Sequence, residues 1–191
     1  MKIRALRASD DLSALQSSDE ALDRFFHRYA GQNQFRHHLG VTYIAVDAGL
    51  VLGFATVAAR QVDIEDLPER FRKKSPRYPM PALGLARLAA NQSAQSKGIG
   101  GQLLRFVLKL ASKMADEVGC GAVVVDAKPG AIDFYAKYGF ASFEPLEGQS
   151  DARPQPTAMY LMMQDIKAAA EPAHCSPPRW GDQCARGAVV M

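Results

Sequence analysis

The chain has 191 residues, of which 48% are hydrophobic and 23% charged, and its formal net charge is +3. This length suits one well-buried domain and does not require two. No apolar run reaches the roughly 20 residues of a membrane-spanning helix, and residues 1–6 lack the apolar core of a signal peptide. We therefore expect a cytoplasmic protein without membrane contact. The small positive charge permits an anionic partner without requiring one.

The three cysteines, Cys120, Cys175 and Cys184, are too widely spaced to form a metal-binding pattern. Cys175 and Cys184 could pair in an oxidising compartment. In the cytoplasm we expect free thiols and no metal site.

Hydrophobic patterning in the first half of the chain predicts strands and helices of an α/β protein. It predicts a strand at residues 2–6 and a helix at 20–34, capped by Ser18 or Asp19. Two antiparallel strands are expected at 41–46 and 50–62. Residues 63–81 are rich in charge and proline, which is typical of a surface loop with room for one helical turn.

The second half of the chain is also predicted to contain both strands and helices. It predicts a strand at 81–90, a helix at 102–115, a strand at 121–126, a short helix between Pro129 and Gly139, and strands at 141–145 and 157–164. From residue 168 onward no period is sustained. We therefore expect one domain at 1–167 and a poorly ordered tail at 168–191, in which Trp180 could anchor a short docking segment.

A glycine-rich turn after the strand at 81–90 is the most informative motif. It reads Gln95-Ser96-Lys97-Gly98-Ile99-Gly100-Gly101 and leads into the predicted helix. Glycines allow close approach of the backbone, and a helix N-terminus offers unsatisfied N–H groups to an anion. Lys97 adds a positive charge. The motif predicts a phosphate-bearing ligand such as a nucleotide-like cofactor.

The spacing of the glycines narrows the choice of cofactor. The order required for a P-loop is absent, and Leu103 stands where a dinucleotide fingerprint needs its third glycine. The remaining pattern, Gln-x-x-Gly-x-Gly after a strand, resembles the acetyl-CoA pyrophosphate loop of the GCN5-related N-acetyltransferase (GNAT) family. By itself it is equally compatible with a strand-to-helix turn that binds nothing. A second motif, Phe134-Tyr135 followed by Gly139-Phe140, is similar to the second half of the family's pattern.

The resemblance implies both a fold and a chemistry. The fold is a mixed central sheet of six to seven strands, flanked by helices and splayed at the acetyl-CoA site. The implied activity is direct transfer of an acetyl group from acetyl-CoA to a primary amine, with positioning as the main source of rate. The residues that the resemblance assigns to the cofactor are Leu88, Ala89, Ala90, Gln95, Ser96, Lys97, Gly98, Ile99, Gly100, Gly101 and Phe134.

Tyr135 is the candidate catalytic residue. It matches the tyrosine that often acts as general acid in the family, and a phenol with a pKa of about 10 is protonated at neutral pH. It could therefore protonate the thiolate leaving group. Alternatively, Tyr135 packs against the cofactor, and Tyr138 is a second, less favoured phenol. No general base is evident; Asp126, at a strand end, could bind the cofactor or cap a turn.

The upstream region is similar to the GNAT toxins of type II toxin–antitoxin pairs. The likeness rests on residues 21–34, on the prolines and arginines of 68–81, and on Leu85-Ala86-Arg87-Leu88-Ala89; with the two motifs it spans 21–140. It implies acetylation of the α-amino group of aminoacyl-tRNA, inhibition of translation, a ribbon-helix-helix antitoxin and a homodimer. Where such toxins often carry Cys-Gly, this chain has Ser17-Ser18, and the tail has no counterpart.

The basic residues are compatible with a tRNA substrate. The tRNA-binding candidates are Arg72, Lys73, Lys74, Arg77 and Arg87. A solvated charged surface is the alternative, because nearby acidic residues offset part of this charge. An aminoacyl ester lowers the pKa of its amine, which would account for the missing base. Two other functions stay open: acetylation of a small-molecule, peptide or protein amine, and non-catalytic acyl-CoA binding.

Overall fold

The computed structural model describes residues 1–73, 78–94, 97–143 and 156–170. The strands are β1 (Lys2–Ala5), β2 (Val41–Asp47), β3 (Leu50–Val62), β4 (Met80–Ala90), β5 (Ala122–Ala127), β6 (Ala141–Ser142) and β7 (Thr157–Met162). The α-helices are α1 (Glu20–Arg28), α2 (Ala30–Phe35), α3 (Glu69–Arg72), α4 (Ile99–Glu117), α5 (Ile132–Ala136) and α6 (Met163–Ala170). In these ranges no helix combines the length and the apolar character needed to cross a membrane.

One seven-stranded sheet, in the order β1-β2-β3-β4-β5-β7-β6, frames the molecule. Neighbouring strands are antiparallel except for β4 and β5, which are parallel. A parallel pair requires a crossover connection, and α4 supplies it. The predicted fold class, a mixed sheet of six to seven strands flanked by helices, is confirmed.

The two faces of the sheet carry different helices. On one face, Leu103 and Val107 of α4 are fully buried against Leu85 and Val125 of the central strands. On the other face, α1 packs at one end through fully buried Phe26, whose ring stacks on Phe54 with a centroid distance of 4.5 Å. The cofactor motif at the start of α4 therefore belongs to the first face, and α1 covers part of the second.

The predicted helix at 20–34 is two helices, which meet at Tyr29. Asp19 begins α1, because its Oδ1 accepts the backbone N–H groups of Ala21 (3.0 Å) and Leu22 (3.2 Å). The turn at Tyr29 directs α2 toward the ends of β1 and β2. There Gln34 donates to the carbonyl of Leu6 (2.9 Å) and accepts the N–H of Thr42 (2.8 Å). The break thus satisfies backbone groups that a straight helix would leave unpaired.

The end of the described chain differs from the sequence-based prediction. β7 ends at Met162 instead of residue 164, and α6 follows directly, although no helix was expected there. Buried Met163 and Ile166 attach α6 to the core, and Lys167 pairs with Asp116 of α4 at 2.6 Å. Since α6 continues past residue 167, the boundary predicted there falls inside a helix. Residues 171–191, with Cys175, Trp180 and Cys184, lie outside the described chain, so the tail stays a prediction.

We expect Phe26→Ala to lower the free energy of unfolding by about 3–5 kcal/mol, the cost of a large cavity in a packed core. Phe26 joins α1 to β3, so the loss should appear in urea denaturation followed by circular dichroism. Val118→Ala is the control, because Val118 is exposed and its replacement should cost less than about 0.5 kcal/mol. Equal effects of the two substitutions would contradict the role assigned to Phe26.

Candidate active site

The two parallel central strands separate partway along their length. β4 and β5 pair only over residues 82–85 and 122–125. Beyond these residues β4 continues to Ala90 beside β3, and β5 continues to Ala127 beside β7. Among the described residues, the edge of β4 that faces β5 therefore has no neighbouring strand at residues 86–90, and its backbone groups can hydrogen-bond a ligand. This is the splay that the sequence resemblance implied.

A cavity of about 490 Å³ occupies the splay. Residues 85–90 of β4 form its floor, residues 125–128, 130 and 131 with Tyr135 form one wall, and residues 17–19 with Leu22 form the other. Three of the predicted cofactor residues, Leu88, Ala89 and Ala90, thus share one cavity with the predicted catalytic tyrosine.

A β-bulge at Ala86 decides which side chains reach each face of β4. Thr56 of β3 lies opposite Arg87, but Val57 lies opposite Leu85, so Ala86 is an extra residue. Because side chains alternate along a strand, Arg87 would otherwise share the α4 face with Leu85. Instead the Arg87 guanidinium stacks on Phe25 of α1, with its carbon 4.0 Å from the ring centroid. The bulge therefore turns this cation toward the α1 face.

The glycine-rich turn leads into the N-terminus of α4, where the first backbone N–H groups have no acceptor within the helix itself. Gly98 has a φ of 72°, a left-handed conformation that favours glycine, and is the N-cap of α4. Gln102 donates the first hydrogen bond of the helix, to Gly98 (3.0 Å), so the N–H groups of residues 99–101 precede the helical ladder. Lys97 is exposed beside them. Gln95 and Ser96 lie outside the described residues.

Small residues at the start of α4 accommodate the aromatic rings of α5 and the turn after it. A Cβ on Gly100 would lie 3.7 Å from Cζ of Phe134, and a Cβ on Gly101 would overlap the hydroxyl of Tyr138. Phe134 packs edge-on against Tyr135, at 5.1 Å between centroids. Phe134 therefore lies between the helix N-terminus and the cavity.

The structure distinguishes the two candidate phenols by position. Tyr135 lines the cavity and is only 6% exposed, and its burial raises the pKa of the phenol to about 12. Tyr138 is absent from the cavity wall and lies under Arg105, at 5.5 Å from the guanidinium carbon to the ring centroid. Tyr135 is thus the phenol placed to meet a ligand in the splay.

The three predicted tRNA-binding residues that the structure describes do not form one cluster. Arg87 lines the cavity, whereas Arg72 and Lys73 belong to α3 and its C-cap. Phe71 anchors α3 beside Ala82, roughly 16 Å along β4 from Arg87 at 3.3 Å per residue. Lys74 and Arg77 fall in residues that the structure does not describe.

Asp126, at the end of β5, forms an ion pair with a residue of β3. Its Oδ2 accepts a hydrogen bond from Arg60 of β3 at 3.0 Å, and it lines the cavity. The Arg60 side chain crosses β4 over Gly84, where a Cβ would collide with it. Sequence reasoning missed this partnership because the two residues are far apart in the chain.

Residues 17–19, which precede α1 and form one wall of the cavity, are hydrogen-bonded to the segment that follows β4. The sequence did not predict this connection. Gln92 donates its side-chain N–H to the carbonyl of Ser17 (3.0 Å) and its backbone N–H to that of Gln16 (2.8 Å). Ser17 in turn donates its N–H to Asp23 (2.8 Å). The polar pair Asn91-Gln92 after β4 indicated that side-chain hydrogen bonds form there. The spacing of residues in the sequence does not reveal which residues are their partners.

Comparison with known proteins identifies the family. The model of the acetyltransferase (GNAT) domain matches residues 38–142, more than half of the chain. The chain therefore belongs to the GNAT family of N-acetyltransferases, which confirms the family prediction.

Individual relatives resemble the chain over most of its length. A tRNA-acetylating toxin of Mycobacterium tuberculosis is 29% identical over 168 residues, covering 86% of this chain and 93% of the toxin. The solved structure of AtaT with acetyl-methionyl-tRNAfMet superposes with a TM-score of 0.77 at 23% identity, over 89% of this chain and 99% of AtaT. The structure of AtaTR bound with AcCoA gives a TM-score of 0.72 at 25% identity, over 89% and 98%.

The site accordingly serves an N-acetyltransferase that uses acetyl-CoA. The structure fits this cofactor in two places: the open helix N-terminus can accept phosphate oxygens, and the unpaired edge of β4 can hydrogen-bond an extended chain. The cavity between them leads to Tyr135.

We expect Gly53→Ala to weaken acetyl-CoA binding in calorimetry and to destabilise the fold by about 1–3 kcal/mol. Gly53 lies opposite Ala90, and a Cβ would come within 2.7 Å of the Ala89 carbonyl oxygen, displacing the end of β4. Gly31→Ala in α2 is the matched control, because its Cβ meets only Phe35, at 4.0 Å. Unchanged affinity in Gly53→Ala would show that the end of β4 does not hold the cofactor.

Proposed function

We propose that this enzyme acetylates the α-amino group of aminoacyl-tRNA and acts as the toxin of a type II toxin–antitoxin pair, blocking translation. The observation that supports it most strongly is the likeness to a tRNA-acetylating toxin over 86% of this chain and 93% of the toxin. The cavity is also bordered, on the α1 face, by a cation that the bulge at Ala86 places there.

Residues of β4 and α4 position the cofactor in this proposal. The backbone of Leu88, Ala89 and Ala90 holds the pantetheine arm and polarises the acetyl carbonyl from the free strand edge. The α4 N-terminus, with Lys97 and Gly98–Gly101, holds the pyrophosphate, and Gln95 and Ser96 belong to the same loop. Phe134 packs beside this loop. The bound acetyl-CoA supplies the activated thioester.

Tyr135 is the proposed general acid, protonating the sulfur of the departing thiolate. Its pKa of about 12 keeps the phenol protonated at working pH. The burial that disfavours the phenolate also disfavours a thiolate formed beside it, so the pKa of the leaving group rises with that of the donor. The two pKa values therefore shift in the same direction, and the raised pKa of Tyr135 does not by itself prevent transfer of the proton to sulfur.

The acceptor needs no dedicated base in this scheme. The α-amino group at a peptide N-terminus has a pKa of about 7.7–8.0, and an ester in place of the amide withdraws electrons more strongly and lowers the pKa further. A large fraction of the amine is thus neutral at physiological pH. This suits aminoacyl-tRNA better than a lysine side chain, whose pKa is about 10.4.

Basic residues on the α1 and α3 face are the proposed contacts for the tRNA backbone. Arg87 lies beside the cavity, where it would contact the phosphates nearest the aminoacylated end of the tRNA. Arg72 and Lys73 lie farther along the sheet, with Lys74 and Arg77 following them in sequence. Their separation suits an extended polyanion rather than a small substrate.

The proposal includes partners. Solved structures of relatives contain the AtaT–AtaR pair and AtaT with a tRNA. For this chain we propose a ribbon-helix-helix antitoxin, a homodimeric assembly and a cytoplasmic location, where aminoacyl-tRNA is found.

We expect Tyr135→Phe to lower the rate of aminoacyl-tRNA acetylation by about 10²-fold or more, the usual contribution of a general acid. Acetyl-CoA affinity should change little, because only the hydroxyl is removed. Acetylated aminoacyl-tRNA can be quantified by mass spectrometry, and expression in a bacterium should arrest growth with the wild type but not with the variant. Tyr138→Phe is the control.

Full activity of Tyr135→Phe would remove the catalytic role from this residue. A wild-type enzyme that leaves growth and aminoacyl-tRNA untouched but acetylates a small amine, a peptide or a protein would replace the toxin function with that alternative. Failure to bind acetyl-CoA at all would contradict the enzymatic assignment.

The pH dependence of kcat/KM should rise through the pKa of the acceptor amine and show no descending limb below about pH 10. Tyr135 loses its proton only as pH approaches its raised pKa of about 12, so it remains a competent acid throughout this range. A tRNA analogue with an amide-linked amino acid, which resists alkaline deacylation, allows the measurement. A fall in rate between pH 8 and 10 would indicate an acid other than Tyr135.

A further inference from the structure

An ion pair spans the active-site cavity from wall to wall. Lys128, just after β5, donates to Oδ2 of Asp19, the N-cap of α1, and both residues line the cavity. Among the ion pairs in the described ranges, no other has both partners on the cavity wall. The pair lies on the α1 side, opposite the helix that offers its N-terminus to the cofactor.

This position matters because an acceptor must come from the side that the cofactor leaves open. The cofactor reaches the splay from the N-terminus of α4, so the acceptor approaches from the α1 face. The Asp19–Lys128 pair therefore stands on the acceptor's route to Tyr135.

The two partners are held very differently. Oδ1 of Asp19 is engaged by the N–H groups of Ala21 and Leu22, and the hydrogen bonds of Gln92 fix the segment before it. The backbone of Lys128 is held by the turn that follows β5, where its carbonyl accepts the N–H of Ala131 (2.8 Å), but its side chain is 56% exposed, against 26% for Asp19. An ion pair this exposed is weak, so Lys128 can leave at small cost while Asp19 stays in place.

The chemistry of the pair matches that of an amine carried beside a phosphate. The lysine ammonium on Asp19 is the same functional group as a protonated α-amine. Once Lys128 leaves, Oδ2 can accept an N–H from the incoming amine, protonated or neutral, while Oδ1 continues to cap α1. The released ammonium can then bind a phosphate oxygen.

Building on the proposed function, we propose that the acceptor exchanges this ion pair: Asp19 binds the reacting α-amine, and Lys128 turns to the phosphodiester next to it. Asp19 and Lys128 are then acceptor-binding residues that select an amine attached to the end of a polynucleotide over a free amine.

Two substitutions separate the parts of the exchange. Asp19→Asn removes the charge but keeps a residue that caps helices well. Lys128→Met removes the ammonium and keeps an apolar stem. The matched controls are Asp116→Asn and Lys167→Met, which break an exposed Asp–Lys pair of the same kind between α4 and α6, away from the cavity.

Steady-state KM is measured with an aminoacyl-tRNA and with the methyl ester of the same amino acid, which has no phosphate. Asp19→Asn should raise KM for both acceptors by about tenfold or more, the effect of losing a charge-assisted hydrogen bond. Lys128→Met should raise KM for the tRNA but lower it for the ester, because it removes a competitor for Asp19. Acetyl-CoA affinity should stay unchanged in both.

If the Asp19–Lys128 ion pair only stabilised the fold, the two variants would change KM in a different way. If Lys128→Met fails to lower KM for the ester, or if both variants lose melting temperature and impair both acceptors alike, the exchange is wrong. A wild type that acetylates the ester but not aminoacyl-tRNA contradicts the proposed function alone, and the response of the ester reaction to Asp19→Asn still decides whether Asp19 binds the amine. A wild type that acetylates neither acceptor contradicts both proposals.

Discussion

Backbone pairing between β4 and β5 stops after residues 85 and 125, and the whole site depends on that separation. Each strand keeps its other neighbour, so the sheet opens at its centre without losing a strand. An opened edge exposes backbone donors and acceptors that no other strand satisfies. A folded protein tolerates this where water or a ligand completes the hydrogen bonds, which makes the splay a binding site rather than a packing defect.

The separation also divides the site between the two faces of the sheet. On the α4 face, the left-handed Gly98 and the open helix N-terminus favour a phosphate-bearing cofactor. On the α1 face, the bulge at Ala86 presents Arg87, and the pair of Asp19 and Lys128 crosses the gap. In the proposed reaction the two substrates therefore meet from opposite sides of the sheet, at Tyr135.

The cofactor half of the site was predictable because it depends on short-range rules. A glycine-rich turn before an amphipathic helix is recognisable by spacing, and the structure puts Gly98 in the conformation that glycine favours. The acceptor half was not predictable in the same way. The bulge at Ala86 reverses the alternation expected for β4, and α6 was hidden because the apolar run of β7 continues into Met163.

By itself, the sequence determined the order of most elements, because periodicity and turn residues act over a few residues. Its two short motifs resemble those of the GNAT family, and that resemblance implied the mixed sheet and acetyl-CoA. Tertiary structure alone decided that Tyr135 rather than Tyr138 lines the cavity. It also brought Asp19 to Lys128 across 109 residues of sequence. The physical reason is that such long-range contacts depend on the strand register, on the extra residue in β4 and on the point where β4 and β5 separate. None of these three features produces a local pattern in the sequence.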